Sequence, residues 1–306
     1  MQTQNDWRRW TLGEALAKIT SATLQKQIGL ASYTPAGVVL GNLVIGFVQM
    51  IAGFLFLLKV GRTPKDSPKH ILFSCMFGAF AFMSTMFSLS AYRLGGPVSV
   101  VVFIITLSII PGAFIDRIFF KHHLALRQWI GVLVGIAGAY LVLGTPSLRE
   151  LSGLPTWAFL ALGTACTTAV NQGFAQKIKG IDPIVKNYWG GFTTAVLALC
   201  AFCFVGVPDF SSEGSWKIVW VSVAIGFVVV GMWTCNVRAY RDGAHIAEKK
   251  LMMNGIYLVS AMIVGVVFYK ESMTLEKLLG IPAFVLATCL FDNKLWESFR
   301  GLFQKK

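Results

Sequence analysis

Apolar runs of about 20 residues recur along the chain, parted by short polar breaks, and 20 apolar residues is the length an α-helix needs to cross a hydrocarbon core. Ten spanning helices are predicted, over residues 9–30, 36–59, 70–93, 97–119, 127–144, 155–176, 184–207, 216–240, 245–268 and 275–292. The breaks carry Gly, Pro or charge, as in Gly61-Arg-Thr-Pro, Lys121-His-His, Thr145-Pro-Ser, Ile181-Asp-Pro and Val207-Pro-Asp. The first run is the most polar, and read alone it fits an amphipathic helix lying in the interface. Its counterpart, the sixth, is polar too, and both precede a Gln-Lys pair (Gln25-Lys26, Gln176-Lys177) and a proline (Pro35, Pro183). The first run is therefore expected to span.

Polar residues inside apolar spans are costly and face the bundle interior or water. They fall here at helical spacing. Glu14, Lys18, Ser21 and Gln25 share one face of the first span, and Thr164, Thr168 and Asn171 share one of the sixth. Thr85, Ser88 and Tyr92 line up on the third, Trp233, Asn236 and Tyr240 on the eighth, and Lys250, Asn254 and Tyr257 on the ninth. The expected cavity wall is Glu14, Lys18, Ser21, Ser88, Tyr92, Thr168, Asn171, Trp233, Asn236, Lys250, Asn254 and Tyr257. Plainer roles compete for each. Ser and Thr bond their own helix carbonyls, Glu14 and Lys18 stand one turn apart and can pair, and Lys249 and Lys250 can snorkel to lipid phosphates. In the sharper reading Glu14 exchanges a proton or binds a substrate amine, and Lys250 grips a carboxylate or phosphate.

The chain repeats itself. Ala91-Tyr-Arg-Leu-Gly95 returns as Ala239-Tyr-Arg-Asp-Gly243, 148 positions on. At that offset Ala113 falls on Ala261, Ile115 on Ile263 and Phe120 on Phe268; one insertion later Lys121 meets Lys270 and Gly131 meets Gly280. Two units, 1–148 and 149–306, of five spans each are expected, together one transmembrane domain. With ten spans and the N-terminus inside, 20 of the 27 Lys and Arg fall on the inner side and six on the outer. Both termini are then cytoplasmic. Five spans per unit is odd, so the second unit must be inverted.

Composition agrees with lipid as solvent. Hydrophobic residues make up 55% of 306 and charged residues 13%, and the mean hydropathy is +0.65. The net charge of +13 sits in the breaks rather than on one folded face with base-stacking aromatics, which argues against nucleic acid. All six Cys (75, 166, 200, 203, 235, 289) lie in apolar spans and are expected to be buried structural thiols. His70, His122, His123 and His245 sit at span ends without metal-ligand spacing, so no metal or cofactor is expected. No cleavable signal is read. No nucleotide-phosphate loop appears, and Asp116 and Asp292 are isolated, which disfavours a membrane enzyme. A non-transporting receptor or scaffold is equally disfavoured.

Phe268-Tyr-Lys-Glu-Ser-Met-Thr-Leu-Glu-Lys-Leu-Leu-Gly280 resembles the end-of-repeat signature of the drug/metabolite transporter superfamily, in its EamA-like members. Phe119 to Gly131 resembles it again, departing at His122 and Ala125, where Glu271 and Thr274 stand in the second copy. The resemblance implies an all-α fold of two inverted five-helix repeats around a cavity lined by the first, third, fourth, sixth, eighth and ninth spans. It implies a carrier of small metabolites, here an amino acid, similar zwitterion or organic anion, with proton or counter-substrate coupling. A nucleotide-sugar or organophosphate antiporter is the alternative. Gly131, Gly135 and Gly138 suit close helix packing, within the bundle or between two copies in a homodimer. A bacterial inner membrane is expected ahead of an internal eukaryotic one.

Overall fold

The computed structural model describes residues 7–122, 125–142, 155–291 and 296–297. Among them regular structure is all helical: α1 Trp7–Ala31, α2 Pro35–Lys59, α3 Pro68–Arg93, α4 Val98–Thr106, α5 Ile109–Phe119, α6 Leu126–Val142, α7 Thr156–Lys177, α8 Pro183–Val205, α9 Glu213–Arg241, α10 Ile246–Tyr269 and α11 Leu275–Phe291. Six stretches are long and apolar enough to cross a membrane: α2, α3, α4 with α5, α8, α9 and α10. His123, Asp292 and the charges at Arg149, Lys294, Arg300, Lys305 and Lys306 lie outside the described residues. Proline opens α2, α3 and α8, where its missing N–H costs nothing. The Asp182 carboxylate caps α8 by accepting from the Ile184 N–H at 2.8 Å.

The outside of the bundle is apolar. Leu126, Phe204, Phe227 and Val267 all stand more than half exposed, as a surface solvated by lipid requires. This corrects one expectation: Cys166, Cys200 and Cys203 are not buried but lie on that surface, and the other three thiols are half-buried. An apolar environment was inferred correctly; which side of the helix supplies it was not. The polar first helix, by contrast, is built into the bundle, packed on α9, α10 and α3, with Glu14 and Ser21 buried.

The fourth span is broken. Pro111 has no N–H for the Leu107 carbonyl and its ring crowds that oxygen. The chain answers with tighter bonds, Leu107 N–H to Ile104, Ser108 N–H to Ile105 and Ile110 N–H to Leu107, which separate α4 from α5. The Thr106 carbonyl thereby loses its usual partner, and Asn254 Nδ2 of α10 donates to it at 2.8 Å. One residue pair along, Lys250 Nζ donates to Ser108 Oγ at 3.1 Å. Asn254→Leu should cost about 1–2 kcal/mol by leaving a buried carbonyl bare. The loss should shrink in a Pro111→Ala background, where Ile110 N–H can serve Thr106. Equilibrium unfolding in mixed detergent measures both, and equal losses in the two backgrounds would refute this account.

Positions one repeat apart share backbone geometry. Lys121 and Lys270 both adopt the left-handed conformation at φ 53°, and Gly95 and Gly243 follow at φ 88° and 97°. Helices α1–α6 and α7–α11 also pack on one another: α1 packs on α9 as α3 does on α7, while α2 meets α8 and α6 meets α11. In that last contact a side chain at Gly135 would come within 3.7 Å of Ala287. Two carboxylates far apart in the chain cap distant helices. Glu271 accepts from the Val98 N–H at 2.6 Å and from the Ser99 N–H and hydroxyl at the start of α4. Asp116 accepts from the Ala247 N–H at 2.8 Å at the start of α10. Beside Asp116, His122 stacks on His245 with ring centroids 3.9 Å apart.

Candidate functional site

A cavity of about 120 Å³ lies in the middle of the bundle. Its wall comes from α1, α3, α4, α7, α9 and α10, with Ile45 and Gln49 of α2 and Thr194 of α8 added. Nine of the twelve expected residues line it: Glu14, Lys18, Ser21, Ser88, Thr168, Asn171, Trp233, Asn236 and Tyr257. Helical spacing brings them together because residues three and four apart share one helix face, and those faces border the cavity. Many hydroxyls spend their proton locally. Thr164 donates to Leu160 O and Thr194 to Gly190 O, while Ser84 and Thr168 join α3 to α7 at 2.9 Å. Ser88 Oγ donates to Gln25 Oε1 at 2.8 Å, and Asn171 Nδ2 to the Phe77 carbonyl at 2.7 Å. Trp233 meets Phe77 edge-on at 4.5 Å.

At the end of the cavity nearest the start of α1, a polar network closes the floor. Glu14 forms an ion pair with Lys249, Oε2 to Nζ 2.6 Å, both side chains almost wholly buried. Glu14 Oε1 accepts from Asn236 Nδ2 at 2.9 Å. Gln172 Oε1 accepts from Asn236 at 2.8 Å, Tyr240 OH at 2.7 Å and Lys249 Nζ at 2.9 Å. Lys186, fully buried, donates to Asn236 Oδ1 at 3.1 Å and lies 3.6 Å from the centre of the Phe77 ring. Five helices are thus tied at one level. At the other end Gln27 donates to Tyr269 OH, Tyr269 to the Thr23 carbonyl, and Lys26 Nζ to the Gly96 carbonyl at 2.7 Å.

Three expected residues stand apart from the cavity. Lys250 and Asn254 share a helical face with Tyr257, as their spacing requires, but both turn to the broken fourth span, Asn254 to the Thr106 carbonyl and Lys250 to the Ser108 hydroxyl. Tyr92 is buried, its Cβ on Gly29 and its ring 5.8 Å from the Lys26 ammonium. Two further readings are corrected. Glu14 pairs with Lys249 rather than Lys18, and Lys249 and Lys250 do not snorkel, being 1% and 0% exposed. Lys250, expected to grip a carboxylate or phosphate, does not line the cavity. Lys186, Gln172 and Lys249 were missed as site residues. Gln172 follows Asn171 directly, and Lys186 and Lys249 sit near span ends among charges that read as loop charges.

Residues 11–144 match the EamA-like transporter family. That stretch is similar to the family's members, and the apolar helices agree with an integral, multi-pass membrane protein. Over 167 residues it is 25% identical to "Uncharacterized transporter YdfC" of Bacillus subtilis (strain 168), covering 53% of this chain and 53% of that protein. The chain thus matches about half the length of that curated relative. A solved structure described only as "Crystal structure of protein" has the same fold, with TM-score 0.66 and 18% identity over 92% of this chain and 97% of its own.

Proposed function

We propose that the protein is a secondary transporter moving a small polar metabolite, an amino acid, similar zwitterion or organic anion, by alternating access. The carrying observation is a polar cavity walled by helices of both halves in a bundle whose outside is apolar. Two five-span units, 1–148 and 149–306, would lie upside down to one another, and rocking between them would open the cavity to either side in turn. The matched left-handed residues, the exchanged helix partners and the reciprocal caps support that arrangement. The floor network and the Tyr269 cluster are candidate closures at the two ends. Both termini would be cytoplasmic. Setting aside the buried Lys186, Lys249, Lys250 and Lys26 leaves 17 basic residues inside against five outside.

Flux of radiolabelled solutes into proteoliposomes tests the function. A pH gradient that drives uptake indicates proton coupling, and acceleration by solute inside the vesicle indicates exchange; an organophosphate or nucleotide sugar as the exchanged solute would favour the antiporter alternative. Substrate-independent leak alone, with no saturable uptake, would refute transport. Thiols placed at positions 93 and 241 should label from opposite faces of the membrane. Labelling from one face would remove the inverted arrangement.

A further inference from the structure

Resting on the transporter reading, we infer that the cavity takes a polar organic monoanion and that Lys18 holds its carboxylate. Most of the buried charges around the cavity already have partners. Glu14 and Lys18 are the charged residues among those lining the cavity. Both oxygens of Glu14 are occupied, Oε1 by Asn236 at 2.9 Å and Oε2 by Lys249 at 2.6 Å. Lys186 bonds Asn236, and Lys250 bonds Ser108. Lys18 Nζ is buried and has no hydrogen-bond partner among the described residues. The Tyr257 ring lies against it, centroid 4.5 Å away, and attracts a cation but accepts none of its three N–H donors in a conventional hydrogen bond.

A buried ammonium with empty donors is costly, and a counter-ion that also accepts hydrogen bonds removes that cost. A carboxylate entering the cavity does both. One turn along the same face stand Ser21 and then Gln25, bonded to each other at 3.2 Å and onward to Ser88. Across the cavity Ser84 and Thr168 present a second hydroxyl pair. These groups suit hydroxyls or amides on the body of the anion.

The same inventory narrows the class. The ammonium of a zwitterion finds no unpaired carboxylate on the described wall, because Lys249 occupies the one that is there. A phosphate dianion lacks a second free cation, since Lys249 and Lys250 are bound elsewhere. An organic cation is repelled by Lys18. Between the solutes left open above, the wall selects the monocarboxylate.

The test uses the purified full-length protein and a defined panel: glycolate, lactate and gluconate as monoanions, serine as zwitterion, glycerol phosphate as dianion, choline as cation and glycerol as neutral control. At least one monocarboxylate should raise the melting temperature in a saturable way, and none of the others should. Lys18→Gln should weaken that binding about ten- to hundredfold, the loss expected for a hydrogen bond to a charged group, while melting at or above the native temperature without ligand. Counterflow of the stabilising solute in proteoliposomes completes the test. Stabilisation by none of the monocarboxylates, or native affinity in Lys18→Gln, would overturn the anion site. Counterflow of serine or choline alone would overturn it too, yet leave the transporter reading standing. A monocarboxylate that binds through Lys18 but shows no counterflow would keep the site and refute transport.

Discussion

Glu14→Ala is expected to destabilise the protein by about 3–5 kcal/mol, the cost of removing one partner from a buried ion pair. The carboxylate balances Lys249, 1% exposed and 2.6 Å away, and anchors Asn236 at the same time. Its loss strands a charge in the bundle and leaves Gln172 as the acceptor for three donors. Glu14→Gln keeps an acceptor for Asn236 and isolates the charge effect, so it should fall between native and Glu14→Ala. Removing the stranded charge as well, in Glu14→Ala with Lys249→Met, should recover most of the loss, because an apolar replacement of a buried pair is close to neutral. Equilibrium unfolding in mixed detergent, followed by tryptophan fluorescence, reads all three. If the double variant is no more stable than Glu14→Ala, the ion pair does not carry the floor.

The crossing of α2 and α8 gives the second large effect. A Cβ built at Gly191 would meet the Met50 backbone nitrogen at 2.6 Å and the Gly46 carbonyl oxygen at 2.8 Å, and one at Gly46 would meet the Ala195 nitrogen at 2.7 Å. These are backbone atoms, so no rotamer change relieves the overlap and the helices must part. Gly191→Val should cost about 3 kcal/mol or more, at the upper end for overpacking, and lower the yield of monodisperse protein. Small residues matter here because helices in lipid associate through close packing, without a hydrophobic drive between them. Gly231 is the control: nothing lies within 4 Å of a Cβ there. Gly231→Ala should be neutral or stabilise by up to about 1 kcal/mol through helix propensity. An equal loss at 191 and 231 would show that backbone contact does not set the outcome.

The candidate site was legible as far as single helices allow. Spacing of four and three along α1 put Glu14, Lys18 and Ser21 on one face, and that face borders the cavity. Partners were not legible. Glu14 has a cation one turn away in sequence and takes another 235 positions on, because the lysine of α10 reaches it across the bundle while Lys18 turns to Tyr257. Lys250 and Asn254 illustrate the same limit. At the equivalent positions of the first copy stand Val102 and Thr106, and that first-copy helix carries Pro111, which breaks α4 from α5 and frees the Thr106 carbonyl for Asn254. The sequence placed that proline in a span but did not reveal which helix would repair the damage.

What the sequence determined by itself was the solvent, the all-helical class and the spacing of its own repeated motif. Run length, sparse charge and an offset of 148 are one-dimensional quantities, and lipid, which cannot hydrogen-bond, turns apolar runs of that length into helices. Tertiary structure alone decided which buried charges are neutralised, which face of α10 meets a broken helix, and which lysine is left facing the cavity without an acceptor. Those outcomes depend on distances of a few ångströms between residues far apart in the chain. Electrostatic and hydrogen-bond energies fall off over that same length, so helical spacing cannot encode them.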